Sequence, residues 1–222
     1  MHLNKAKMTF RYILGLPKSI YVNFRLLPLK DAIKLPIIVS SKTILSSLNG
    51  SVSFDKVKTG VVRIGFGNVA MIDYKYQRTI LHIGGHIHFK GKCKIGLASK
   101  LMIYGNLDIG KNFLLSGNGS IICAKYISIG NNTSVAWESL IMDTDEHPIY
   151  DKAKNILNED SPIYIGDDVW IAARSVILKG AVIPNGCIIG ANSLIAKKFH
   201  IEKSIIVGNP ARVLKEDITW GR

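Results

Sequence analysis

Residues 163–197 read IYIGDDVWIAARSVILKGAVIPNGCIIGANSLIAK, and within this run Ile165, Ile171, Ile177, Ile183, Ile189 and Ile195 recur at strict intervals of six. Two positions before each isoleucine from Ile171 onward stand Val169, Ser175, Ala181, Cys187 and Ser193, all small or β-branched. Directly after the isoleucines come Gly166, Ala172, Leu178, Pro184, Gly190 and Ala196, mostly residues suited to a tight turn. A period of six fits neither an amphipathic helix nor the simple alternation of an isolated strand. A parallel β-helix explains it. Each hexapeptide supplies one short strand and one turn, three of them close a triangular coil, and every sixth side chain points at the axis. Stacked coils then pair strand on strand at roughly 4.8 Å. No coil buries its own apolar face alone, so several must stack.

The rhythm extends upstream with breaks. Ile83, Phe89, Ile95, Leu101 and Leu107 share one frame, Ile109, Leu115, Ile121 and Ile127 a second, and Ile129, Val135 and Ile141 a third. Each change of frame is a two-residue insertion, expected to bulge outward at a coil corner. An ordinary β-sandwich would not put six isoleucines in register. Residues 1 to about 45 mix basic and apolar residues, with Pro17, Pro28 and Pro36 as breakers, and predict short helical pieces that cap the open end of the stack. The basic residues Lys5, Lys7, Arg11 and Lys18 also admit contact with a membrane surface or an acidic partner. EHPIYDKAKNILNEDSP, at 146–162, lacks the period and reads as a loop extruded between two coils. The expected organisation is a helical capping segment over 1–50, a parallel β-helix over 51–200 carrying that loop, and a tail over 201–222 whose VLKEDITWGR forms a short closing helix with Trp220 beneath it.

Bulk composition narrows the class. Hydrophobic residues at 47% and charged residues at 20% are ordinary for a folded globular chain. Twenty-nine Lys and Arg against 16 Asp and Glu leave a net charge of +13, which attracts polyanions. Lysine is spread along the whole chain, and arginine-rich runs, aromatic RNA-binding motifs and zinc-finger spacings are lacking, so nucleic acid is not the expected partner. Cys93, Cys123 and Cys187 are odd in number and widely spaced, as reduced core residues would be. Pro17, Lys18 and Arg25 interrupt the apolar N-terminal stretch, which reads as neither a cleaved leader nor a membrane span. A reducing, cytoplasmic location is expected.

Three segments then carry a resemblance: MDTDEHPI at 142–149, the run IGDDVWIAARSVILKGAVIPNGCIIGANSLIAKK, and IVGNPARVL; VNFRLLPLKDAIKLPIIVS adds to it. In their order and separation they resemble the hexapeptide-repeat acetyltransferases, in the branch that modifies capsular polysaccharide and O-antigen. The resemblance implies an all-β solenoid of the left-handed parallel β-helix kind. It also implies acetyl-CoA as acyl donor without a metal, a saccharide acceptor and a homotrimer. His147 takes the place of the general base, a role its near-neutral reference pKa suits. Asp143 and Asp145, two apart in extended chain, would face the acceptor or orient the imidazole, and Asn118 in SGNGS would contact the acceptor. Trp170 would border the acetyl-CoA site, with the backbone at Ala173 and Ala191 along the pantetheine path. Lys197, Lys198 and Arg212 would meet the phosphates of CoA. Ala172 stands where glycine is frequent in the family and Lys179 where proline is common.

Within this class the acceptor atom is a hydroxyl or an amine. Two other classes share the solenoid. A γ-carbonic-anhydrase-like metalloenzyme would use His82, His86 and His88, although those crowd one stretch where that family needs separate coils. A non-catalytic scaffold would need none of these side chains.

Overall fold

In a computed structural model of the chain, residues 5–67, 69, 72–73 and 75–221 are described, with the side chains of 5–9 left aside. The side chains of Lys5 and Lys7 therefore lie outside the described residues. The strands fall into three sheets, each built from every third strand of the chain, so that the coils form a three-sided prism. Face A runs from the strand Ile37–Val39 to Ala211–Lys215, face B from Ile44–Leu48 to Leu194–Ile195, and face C from Ser51–Phe54 to Val182–Ile183. Pairing is parallel throughout, apart from the last two strands of face A. The hexapeptide isoleucines 165, 171, 177, 183, 189 and 195 are all buried in one continuous core with Leu101, Leu107, Ile121 and Ile141.

The changes of frame have a different origin from the expected corner bulges. Leu101 pairs with Ile121, twenty positions on, whereas Ile177 pairs with Ile195, eighteen on. The extra two residues lengthen face B inward: Ile83, Ile103 and Cys123 each add a third buried position to their side of the coil. An added inward residue widens the core without interrupting the stack, which a bulge at one corner would not do for successive coils. Asp143 occupies the same position in the next coil, and there the coils narrow.

Coil pairing begins at Ile37, ahead of the boundary expected near residue 50. In place of short helical pieces, the N-terminus forms one long helix, α1 (Lys5–Leu26), and a single turn, α2 (Leu29–Ala32). Gly15, Ser19, Val22, Asn23 and Leu26 make the buried stripe of α1 at helical spacing. Pro17 is tolerated because it sits on the opposite side, where the carbonyl it leaves unpaired points away from the coils. A Cβ on Gly15 would come within 2.2 Å of the Val39 carbonyl oxygen, so glycine sets how closely the helix approaches.

The buried stripe completes the backbone of the first strand. Asn23 donates to the Ile37 carbonyl at 2.6 Å and accepts from the Ile37 N–H at 3.1 Å, while Ser19 accepts from the Val39 N–H at 2.9 Å. Lys18 donates to the carbonyls of Ser41 and Thr43, each at 2.6 Å. Polar side chains of α1 thus occupy the place of a preceding coil and cover an edge that would otherwise template aggregation.

At the other end the expected closing helix is a strand. Ala211–Lys215 turns back antiparallel on Ile205–Gly208 through a cis Asn209–Pro210 bond, and residues beyond it climb the prism edge between faces C and A. Ile218 donates its N–H to Lys203, and the Trp220 indole donates to the Asp168 carbonyl at 2.6 Å. Alternating Ala211 and Val213 inward against Arg212 and Leu214 outward is a strand pattern, which is why a helix does not form there.

Replacing Asn23 with Ala leaves the Ile37 N–H and C=O unpaired in a buried setting, at a cost of about 1–3 kcal/mol for each. The midpoint of chemical denaturation should fall accordingly. An unchanged midpoint would refute the capping role.

Candidate active site

The chain leaves the stack after Leu140–Met142 on face B and returns at Ile163–Ile165 on face C, so the intervening loop stands at the edge between these faces. In the coil before, the N–H groups of Tyr104 and Gly105 bond the Cys123 carbonyl, and that of Asn106 bonds Lys125. The corresponding N–H groups of Ala124, Lys125 and Tyr126 have no such coil beneath them, because the chain departs. The Asp143 carboxylate takes them instead, at 2.6, 3.0 and 2.7 Å. Asp143 is fully buried. It therefore anchors the loop and is turned away from any acceptor, which corrects the acceptor-binding role expected for it. Burial of the thiol, reinforced by the neighbouring Asp143 charge, pushes the Cys123 pKa up, and burial does the same at Cys93, which favours the protonated thiols.

Beyond this anchor the loop bends into an arm. Tyr150 and Ile156 form an antiparallel bridge, and Asn158 donates to the His147 carbonyl at 2.9 Å and to the Asp145 carboxylate at 2.8 Å. Lys179, from the next coil, reaches Asp145 at 2.5 Å and the Asn158 carbonyl at 2.6 Å. The Lys179 cation thus ties the loop to the prism. The Lys179 and Asn158 hydrogen bonds hold the Asp145 carboxyl below its usual pKa. With Lys125, Glu146, Glu159 and Ala124, His147 lines a cavity of about 470 Å³ between the arm and the preceding coil. The His147 side chain is exposed to it and its ring is held by no hydrogen bond to Asp145; the contact between the two residues runs through the backbone, His147 N–H to the Asp145 carbonyl at 2.7 Å.

The remaining expected residues lie elsewhere on the prism. Ala173 and Ala191 stack at the edge between faces A and B, where the Asn192 N–H donates to the Ala173 carbonyl at 3.1 Å. Asn118 lies on the same edge with a φ of 57°, a turn conformation that accounts for an asparagine there. Trp170 projects from face A and packs on Trp220 at 5.9 Å. Lys197 and Lys198 follow the last strand of face B and share the His147 edge, with the Lys197 ammonium over the Phe199 ring at 5.2 Å. Arg212 is exposed on the final strand. Face B separates the His147 edge from the alanine edge by a strand of three to four residues, about 10–13 Å. One chain thus holds the two groups on either side of a face rather than in one pocket.

The faces also differ in character. Outward positions on face B are polar in part in the early coils, with His82, Lys100 and Ser120, and become apolar and half-buried along Met102, Ile122, Met142 and Leu178 in one register column and Leu140, Val176 and Leu194 in the other. Outward positions on face C are His88, Asp108, Ser128 and Tyr164, beside His86, Asn106 and Tyr126. There Tyr126 donates to Asp108 at 2.8 Å and meets Tyr164 edge-on at 5.9 Å. His86 bonds Ser51 and Ser53, and His88 bonds Ser53 and Asp55. His82 stands on face B against Tyr104, so the three histidines of the carbonic-anhydrase reading do not converge.

Residues 162–197 match the family described as bacterial transferase hexapeptide (six repeats). Among curated proteins, the chain is 33% identical to galactoside O-acetyltransferase of Escherichia coli (strain K12) over 51% of this chain and 56% of that one. It is 38% identical to polysialic acid O-acetyltransferase of Neisseria meningitidis over 48% of this chain and 51% of that one. The chain spans about half the length of the curated relatives it matches first. The fold is that of the polySia specific acetyltransferase NeuO, with a TM-score of 0.63 and 20% identity over 83% of this chain and 74% of that one.

The loop tether has a pH signature. A depressed folded-state pKa means that the Asp145 contribution is fully present above the unfolded value of about 3.9 and is lost only as pH falls through the lower folded value. An NMR titration should place the Asp145 midpoint below that of a free aspartate, and Lys179→Met should raise it. A midpoint indifferent to the substitution would rule the tether out.

Proposed function

We propose that the protein is an acetyl-CoA-dependent O-acetyltransferase that acetylates a sugar hydroxyl of a capsular or other cell-surface polysaccharide, or of its precursor, in the cytoplasm. The observation that carries this reading is the exposed His147 at the mouth of a polar cavity, on a loop fixed by Asp143 and by the Asp145–Lys179 pair. His147 accepts the proton of the acceptor hydroxyl as its oxygen attacks the thioester carbonyl. Collapse of the tetrahedral intermediate expels the CoA thiolate, which takes the proton back from the imidazolium, leaving acetyl ester and CoA thiol.

The acceptor side is supported by the hydroxyl-bonding, aromatic surface of face C, which runs along the coils to the cavity through Tyr126 and Lys125. Asp145, with one carboxylate oxygen engaged, remains a candidate acceptor ligand, and Asn118 is a weaker one because it stands on another edge. For the donor, Trp170, Ala173 and Ala191 offer an aromatic wall and a backbone path, while Lys197, Lys198 and Arg212 offer charge for the CoA phosphates. Because face B separates Ala173 and Ala191 from the His147 edge within one chain and is apolar in its later coils, a homotrimer with sites between subunits is the assembly that fits best. The relatives named O-acetyltransferases favour a hydroxyl acceptor over an amine.

Incubation of the protein with acetyl-CoA and a panel of hydroxyl- and amine-bearing saccharides, followed by thiol release and product mass, tests the reading. His147→Ala should lower turnover by roughly 10²–10⁴-fold, the usual contribution of a positioned general base, with unfolding unchanged. Full turnover in that variant would leave a scaffold or another base as the explanation.

A further inference from the structure

The side of α1 that faces away from the coils is apolar. Phe10, Ile13, Ile20, Tyr21 and Phe24 recur at three- and four-residue spacing opposite the buried stripe, and each keeps 42–61% of its surface exposed. A capping element ordinarily turns a polar face to solvent, because that is what keeps the end of a solenoid soluble. Here Ser19 and Asn23 point inward beside Val22 and Leu26, while the outward side is apolar instead of polar.

Orientation follows from the caps. Hydrogen bonds between coils run along the prism axis, and Asn23 and Ser19 meet the Ile37 and Val39 backbone groups along that direction. The helix therefore lies across the end of the stack, and its outer face looks outward along the axis, away from the His147 cavity at the side. Leu29 and Ile33 extend the apolar surface, each more than 60% exposed.

Charge selects the occupant. α1 contains no Asp or Glu, and besides Lys18, which is tied inward to the Ser41 and Thr43 carbonyls, residues 1–34 carry Lys5, Lys7, Arg11, Arg25, Lys30 and Lys34 against Asp31 alone. A second copy of this end would bring like charge against like. An anionic lipid surface offers both things the helix presents, a hydrocarbon boundary for the aromatic and aliphatic side chains and phosphates for the cations. We propose that the outer face of α1 seats the protein on an anionic membrane, with the solenoid standing end-on. No helix among the described residues is long and apolar enough to cross a membrane, so the association is peripheral.

The surface is separate from the cavity, so the proposal stands or falls independently of the acetyl-transfer reading. Full-length protein is floated with vesicles of equal parts phosphatidylcholine and phosphatidylglycerol, and with phosphatidylcholine vesicles alone. Wild type should float with the anionic vesicles at low salt and be released at high salt. The double substitution Ile13→Glu and Phe24→Glu should lower the bound fraction at least tenfold, with its unfolding midpoint and its acetyl-CoA turnover on a soluble acceptor kept. If that pair unfolds the cap, Ile13→Ser with Phe24→Ser makes the same comparison. Failure of wild type to float with anionic vesicles overturns the proposal. So does a result in which the substitutions change only the oligomeric size, which would make the face a contact between copies.

Discussion

Backbone N–H and C=O groups in this fold point along the prism axis, and each must find its partner in the coil above or below. In an open sheet the unpaired groups gather at its two lateral edges. Here they occur at the first coil, at the last, and wherever the chain steps out of the stack. An unpaired buried amide costs as much as several apolar contacts return, so each interruption needs a dedicated acceptor or donor. The stack of aliphatic side chains supplies the driving force. The axial hydrogen bonds decide where that stack is allowed to break.

That requirement explains two features that otherwise look unrelated. Ser19 and Asn23, polar residues on the inner side of a helix, meet the orphaned groups of the strand Ile37–Val39. Asp143 meets three orphaned N–H groups where the loop leaves the coil. In both places a polar side chain stands in for a missing strand. Asp143 has a further consequence, since the amides it holds belong to Ala124, Lys125 and Tyr126, and the first two form the floor of the cavity that His147 faces. The acid that keeps the stack intact also fixes one wall of the candidate site, while Lys179 and Asn158 fix the other.

The aliphatic period was fully legible in the sequence because one side chain in six is buried by one geometric rule, and 165–195 obeys it without exception. The extruded loop was legible as a loss of that period. Other features obey rules that act between residues distant in sequence. Asp143 looked like an acceptor ligand because two acids before a histidine suggest a polar site, and nothing local shows that its position continues the inward column of Ile83, Ile103 and Cys123. The same column hides the reason for the changes of frame. Pro17 suggested a break, yet its placement on the outer side of α1 leaves the buried stripe intact. The C-terminal segment is expected to close the stack as a short helix, whereas the alternation around Val213 and the partner strand Ile205–Gly208 make its start a strand.

The three faces divide the surface by chemistry as well as by position. Buried side chains inside the prism are interchangeable aliphatics, so the inner rule leaves the outward positions free to vary, and they have diverged face by face. Face B carries methionine, leucine and isoleucine, face C carries histidine, asparagine, aspartate and tyrosine, and the end of the prism carries the apolar side of α1. A repeat that fixes only one side chain in two along each strand can give each exterior surface its own partner without disturbing the core. The His147 edge is where an apolar and a polar face meet. A group placed there borders a surface suited to another protein chain on one side and to a hydroxylated ligand on the other, which is the arrangement a transfer between two bound molecules requires.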